Sequence, residues 1–225
     1  MALENGKVIQ LDSYGQVGEF IMDTFSDTFV TDRAVMEARY HHNTKYKDAP
    51  SVVENGILSL IELHNLGIRR FTDKELTIFG DTDSHINGIS CVSLAVVGLT
   101  DLYRDELEYD PYAFEKVDIL VDSSVKARRN ATHYGNEFLV DRLIQPEKLR
   151  AIDIRMIKLM ESIKLNEAIG NKKIDHLIES FNSLREIAKA IKDNGRDIPL
   201  REMSYGNMVM DIDKVSDYPE IRMKR

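Results

Sequence analysis

Apolar positions recur with two different periods along this chain, and the change of period divides it. Val17, Phe20, Ile21 and Phe25 fall at helical spacing and predict a short amphipathic helix ending near Thr28. Before it, Val8 to Asp12 reads as a short strand or an irregular arm. Phe29 to Tyr40 mixes strand and helix signals and leaves its type open. Its end, Arg39-Tyr40-His41-His42-Asn43-Thr44, reads as a strand running into a polar loop. Ala49-Pro50-Ser51 then marks a helix start, with Ser51 as N-cap and Glu54 three residues on as a capping box. Asn55-Gly56 stops that helix early. Ile57, Leu58, Leu60, Ile61 and Leu63 carry the apolar pattern on.

The middle third alternates with period two. Thr72 to Asn87 is polar and acidic and reads as loop. Gly88 to Val97 is the most apolar strand candidate. Ile89, Cys91, Ser93, Ala95 and Val97 face one way in it, with Ser90, Val92, Leu94 and Val96 facing the other. Leu99 to Phe114 is an acidic, tyrosine-rich excursion. Val117 to Val121 is a buried-looking strand, and a polar loop from Ser123 to Asn136 follows. Phe138, Leu139 and Val140 are β-formers, so Glu137 stands where that loop enters a strand. Ile144 to Leu149 turns the chain, and Arg150 to Ile154 is the next strand.

After Ile154 the period returns to helical. Ile157, Met160, Ile163 and Leu165 suggest one helix, broken near Gly170-Asn171. Ile174, Leu177, Ile178, Phe181, Leu184, Ile187, Ala188 and Ile191 keep helical spacing to the stop at Asn194-Gly195. A one-sided apolar stripe is normally core, so these helices should pack on the same domain. The tail from Pro199 to Arg225 shows no clear pattern. These elements predict an α+β fold: antiparallel-type strands in the middle, helices at both ends. Residues 1–155 form the expected main domain and 156–225 a C-terminal helical extension packed on it.

Composition narrows the classes. The chain has 225 residues, 43% of them hydrophobic, and a net charge of -8, which argues against a whole-surface duplex-DNA binder. A local basic loop can still meet nucleic acid. Cys91 is the only cysteine, so an intrachain disulfide or a cysteine-rich zinc site is not expected. The start, Met1 to Lys7, lacks the basic and apolar regions of a signal peptide. No apolar run approaches the length of a membrane span. A soluble, cytoplasmic protein without membrane contact is the simplest expectation.

Each candidate site is weak alone. His41-His42 reads as surface histidines without a metal-ligand pattern, so no metal site is expected. Ser90 and Ser93 read as core hydroxyls and Glu137 as an edge-strand charge. Their order carries more. A strand ending in histidine comes first, then a short helix ending in Asn-Gly-Ile, then a serine-bearing strand, and last a loop leading into a Glu-headed strand.

That order resembles the ADP-ribosyltransferase superfamily, over Tyr40 to about Ile154. The local likeness is to DarT-like enzymes, DNA-modifying toxins of bacterial toxin–antitoxin systems. It rests on His42, on Val53-Glu54-Asn55-Gly56-Ile57 and on Glu137-Phe138-Leu139-Val140. His42-Asn43-Thr44 also resembles the His-Gly-Thr/Ser motif of the poly-ADP-ribose polymerase branch, with Asn43 in the place of glycine; His41 is the alternative register.

The resemblance implies a split β-sheet core and an NAD site. It implies that His41 or His42, with Asn43 and Thr44, holds NAD, that Ser90 or Ser93 shapes the nicotinamide pocket, and that Glu137 is the catalytic carboxylate. Lys126, Arg128, Arg129 and Tyr134 would lie in a substrate-selecting loop. The arginine-modifying branch carries Glu or Gln two residues before its catalytic glutamate. Gly135 stands there, which disfavours arginine as acceptor. The implied activity is transfer of ADP-ribose from NAD, as co-substrate, to a macromolecular acceptor, either a nucleic-acid base or a protein side chain, in a toxin or phage-conflict setting. Asn43 in place of glycine supports the alternative, a non-catalytic regulatory or partner-binding protein on the same fold, because a close backbone approach favours glycine.

Overall fold

A computed structural model describes residues 8–30, 38–70, 72, 90–96, 116–130, 137–165, 170–204 and 208–224. In chain order the strands are β1 (Val8–Leu11), β2 (Phe29–Val30), β3 (Ala38–Lys45), β4 (Ile57–Leu58), β5 (Cys91–Val96), β6 (Lys116–Asp122) and β7 (Arg128–Arg129). They continue with β8 (Glu137–Asp141), β9 (Leu143–Ile144), β10 (Leu149–Ile154), β11 (Leu200–Glu202), β12 (Met208–Met210) and β13 (Glu220–Met223). The helices are α1 (Tyr14–Ser26), α2 (Ala49–Asn55), α3 (Leu60–Asn65), α4 (Met156–Leu165), α5 (Gly170–Asp193) and α6 (Ile212–Ser216).

Among the described residues nine strands share one mixed sheet in the order β2-β12-β11-β10-β6-β3-β5-β8-β7, so the architecture is α+β. Within it β10 and β11 run parallel and every other neighbouring pair is antiparallel. Side chains alternate across a sheet, so the two faces can carry different chemistry. One face presents Tyr40, Val92, Leu94, Val117, Ile119, Val121, Ile152 and Ile154, all buried in the core cluster. Val17, Ile21 and Phe25 of α1 and Leu177, Phe181, Leu184 and Ile187 of α5 belong to the same cluster. Phe181 stacks on Tyr218 at 5.2 Å and on Phe25 at 6.1 Å, which joins the start of the chain to its end. The opposite face carries the polar residues described below.

β3 and β5 part after His41. β3 pairs with β6 from Ala38 to Lys45, and among the described residues with β5 at Tyr40↔Val96 and His41↔Ala95. From His42 onward β3 stays with β6, and β5 continues with β8 from Ala95↔Glu137 to Cys91↔Asp141. Among the described residues, two residue pairs join β3 to β5.

Several expected elements differ in extent. The run Arg39 to Thr44 is strand throughout, because β6 satisfies its backbone along the whole polar stretch. Helix α2 starts at Ala49 with Asp48 at the N-cap position, after a 3-10 turn over Tyr46–Asp48. Ser51 lies inside the helix, and its hydroxyl accepts from Asn55 Nδ2 at 3.3 Å rather than capping it. The early stop at Gly56 is as the sequence predicts, with φ +82°. Part of the loop after Ser123 is strand β7, paired with β8.

Residues beyond Arg155 supply helices α4, α5 and α6 and also three strands. β11 and β12 extend the main sheet past β10, and β13 pairs in parallel with β1. Strands of three or four residues are too short to show a period, which is why the tail looked patternless. Glu202, fully buried on β11, accepts hydrogen bonds from the backbone N–H groups of Met156 at 2.8 Å and Ile157 at 3.4 Å. It thereby satisfies two of the open amides of α4 and ties that helix to the sheet, while Ser204 Oγ accepts from the Lys158 N–H at 3.1 Å. Asn182 on α5 pairs through its amide with both the N–H and the carbonyl of Ile221, at 2.8 and 3.0 Å, closing part of the β13 edge. No helix among the described residues is long and apolar enough to cross a membrane.

Candidate active site

Strand pairing sets two of the predicted positions, His41 and Glu137, in one row. Residues directly opposite in antiparallel strands project to the same face. His41 of β3 lies opposite Ala95 of β5, and Ala95 lies opposite Glu137 of β8. His41 and Glu137 thus stand on one face, two strand spacings or roughly 10 Å apart along the hydrogen-bonding direction. Ser93, two residues from Ala95, projects from the same face. His42 is on the other side, opposite the buried Ile119.

Glu137 is the best-anchored side chain of this row. Ser93 Oγ donates to its Oε1 at 2.5 Å. Asn130 Nδ2 donates to its Oε2 at 2.5 Å. Each carboxylate oxygen therefore has its own donor, one from β5 and one from the residue following β7. The charge-assisted bonds fix the carboxylate plane. Ser93 is exposed and Glu137 half-buried, so the group remains open to a ligand.

A buried polar network backs this face. His41 is 5% exposed and Asp118 2%. His41 Nδ1 lies 3.5 Å from Asp118 Oδ1, and Arg155 binds Asp118 through its guanidinium. Beside them Arg201 forms a two-pronged pair with Asp153, at 2.7 and 2.8 Å. Burial pushes the Asp118 carboxyl up, but His41 and Arg155 outweigh it and hold the group at about 2. For Asp153 burial wins over Arg201, and its carboxyl sits above the ordinary range.

Because folding lowers the Asp118 pKa below its ordinary 3.8, it favours the ionised form. The resulting stabilisation is complete above about pH 4 and is lost as pH falls through about 2. Asp118→Asn is therefore expected to destabilise the chain by about 3 kcal/mol at pH 7, because Arg155 is left buried without its counter-charge. The gap to wild type should shrink as pH falls from 4 to 2, read as urea midpoints across that range.

The other predicted residues divide between the site and its surroundings. His42 Nδ1 bonds the Ser93 carbonyl at 2.9 Å where β3 and β5 part. Burial lowers its pKa, with the Ser93 carbonyl acting the other way. Asn43 shares the face of His41 and is exposed, opposite Asp118. Thr44 projects with His42, opposite Val117. Ser90 precedes β5 and lies beside Arg142, whose N–H bonds its carbonyl at 2.8 Å. The serine in contact with Glu137 is Ser93.

Lys126, Arg128 and Arg129 are exposed on and before the edge strand β7. Arg128 reaches Asp141 at 3.8 Å and Cys91 Sγ at 3.5 Å. Tyr134 lies outside the described residues. Asn130 and the Asp118–Arg155 pair were not singled out in the sequence. A lone asparagine in a polar loop gives no local signal, and the ion pair joins residues 37 apart in sequence.

No family model matches this chain, and no curated protein does. Among solved structures it is similar to Thermosipho africanus DarTG in complex with ADP-ribose. The two share 16% sequence identity with a TM-score of 0.36, over 60% of this chain and 48% of that one. The match thus spans about half of that protein's chain, and the likeness is distant.

A groove of about 950 Å³ lies elsewhere, between α5 and β13. Lys47, Arg185, Glu186 and Glu220 line it in mixed charge. Among the described residues no cluster of three His, Cys, Asp or Glu side chains is arranged to hold a metal ion.

Proposed function

We propose that this chain is an NAD-dependent ADP-ribosyltransferase with an ADP-ribosyltransferase-like split-sheet core, acting through Glu137. The observation that carries the reading is the Glu137 carboxylate itself, fixed by Ser93 and Asn130 on the face and in the row of His41. In this reading the nicotinamide–ribose bond breaks and nicotinamide leaves with the bonding electron pair. Positive charge develops on the ribose as it does so. A carboxylate held beside that ribose stabilises the developing charge without having to reorganise. The acceptor nucleophile then bonds to the ribose carbon and gives up its proton, for which Glu137 is the nearest base of the row.

The histidine best suited to hold NAD is His41, because it shares the face of Glu137 and Asp118 orients its ring. His42 serves the site indirectly by fixing the Ser93 backbone. Asn43, exposed beside His41, and Ser93 complete the NAD-facing set, and Thr44 supports the strand from its other face. Lys126, Arg128, Arg129 and Tyr134 form the acceptor-selecting segment in this reading. The parting of β3 from β5 after His41 supports it further, since strands that diverge can open a cleft there.

The acceptor is a macromolecule, nucleic acid or protein, and a toxin or phage-conflict role follows as part of the same proposal. Incubation of the purified chain with adenine-labelled NAD and cell lysate tests it. Label should enter the macromolecular fraction, and separate digestion with nuclease and protease then assigns the acceptor. Label that stays entirely in small molecules contradicts the transferase reading.

A further inference from the structure

Asn130 makes two bonds to Glu137, and only one of them is needed to build the hairpin. β7 and β8 pair at Arg128↔Leu139 and Arg129↔Phe138, which brings Asn130 opposite Glu137. The Asn130 N–H donates to the Glu137 carbonyl at 2.9 Å. Any residue but proline could make that backbone bond. The side-chain bond, Nδ2 to Oε2 at 2.5 Å, is additional and specific to a donor of this length. A carboxylate only accepts hydrogen bonds, so the amide must turn its NH₂ toward Glu137. Asn130 is 5% exposed, which restricts its rotamers, whereas the hydroxyl of exposed Ser93 can rotate to another acceptor.

We propose that Asn130 is a positioning residue for Glu137, holding the carboxylate in the orientation it needs toward the ribose. The inference rests on the transferase reading of Glu137. It adds a residue that acts through Glu137 and need not touch NAD. Other charged or titratable groups on the same face, among the described residues, are His41 and Lys45 on β3, Lys116 and Asp118 on β6, Asp153 on β10, Arg201 on β11, Cys91 on β5, Arg128 on β7 and Asp141 at the end of β8.

The test compares Asn130→Ala and Asn130→Asp with wild type for nicotinamide release from NAD, for NAD affinity by calorimetry and for thermal midpoint. Asn130→Ala should lower kcat about 10- to 100-fold with NAD affinity within about twofold, the pattern of a contact used in the transition state. Asn130→Asp keeps the shape and exchanges donor for acceptor, so it also controls for folding. At low pH the two facing carboxyls share one proton, and the introduced O–H donates to Glu137 as the amide did. As pH rises past the raised pKa of the pair, two negative charges face each other and the orientation is lost. Asn130→Asp should therefore approach wild-type turnover at acid pH and lose it with increasing pH. A purely structural asparagine would not produce that profile.

Retention of wild-type turnover by Asn130→Ala, or a pH-independent loss in Asn130→Asp, overturns the inference while leaving the transferase reading intact. A wild-type chain that releases no nicotinamide removes both.

Discussion

Glu137→Gln is expected to lower nicotinamide release from NAD by about 10²- to 10³-fold, with little change in NAD affinity. The substitution keeps the size of the side chain and one acceptor oxygen, so Ser93 or Asn130 retains a partner. What it removes is the negative charge that the proposed reading sets beside the ribose. That charge matters little to ground-state NAD and most when positive charge develops, so the loss should fall on kcat. The carboxylate is held at both oxygens, which in the proposed reading limits the reorganisation it must undergo. A loss confined to NAD affinity would instead make Glu137 a binding group and would leave the chemistry unassigned.

Gly56→Ala is expected to destabilise the fold by at least about 3 kcal/mol, a fall in thermal midpoint of about 6–12 °C for a chain of this size. Two independent features act together. The backbone has φ +82° and ψ -173°, a region closed to residues with a Cβ. A Cβ would also meet the Ile144 carbonyl oxygen at 2.1 Å and Pro146 Cδ at 3.1 Å. The carbonyl belongs to β9, which pairs with β4 directly after the glycine, so relief requires moving a strand. Differential scanning calorimetry checks this, and an unchanged midpoint would mean that β9 is free to shift.

The two glycine stops show what a sequence can reveal about a fold. Asn55-Gly56 and Asn194-Gly195 were legible because both end helices by a backbone conformation that favours glycine, and Gly195 has φ +59°. The long helix α5 was legible because its apolar stripe is sustained over many turns and packs in the core. The close approach of Ile144 to Gly56 was not, because it depends on a strand almost ninety residues away in the chain. β7, β11 and β12 were missed for a different reason. Strands of two or three residues are defined by their partners, and β12 and β11 exist only because β10 offers an edge.

The candidate site was legible in its order and not in its register. His41 and His42 are adjacent, and in a strand adjacent residues face opposite ways, so only pairing decides which meets Glu137. His41↔Ala95↔Glu137 supplies that decision for the face. Ser90 precedes the strand and Ser93 lies within it, and the hydrogen bond to Glu137 belongs to Ser93. Asn130 and Asp118 became visible only through contacts across strands. Each is an ordinary polar residue in its own neighbourhood, and its importance comes from what the sheet sets beside it.

The central claim is that this chain breaks the nicotinamide–ribose bond of NAD, and the most direct measurement is nicotinamide release by the purified wild-type chain, with and without cell lysate. The account predicts release above the uncatalysed background, stimulated by the lysate fraction that holds the acceptor. NAD that remains intact in both conditions, in a preparation shown by calorimetry to be folded, would contradict it.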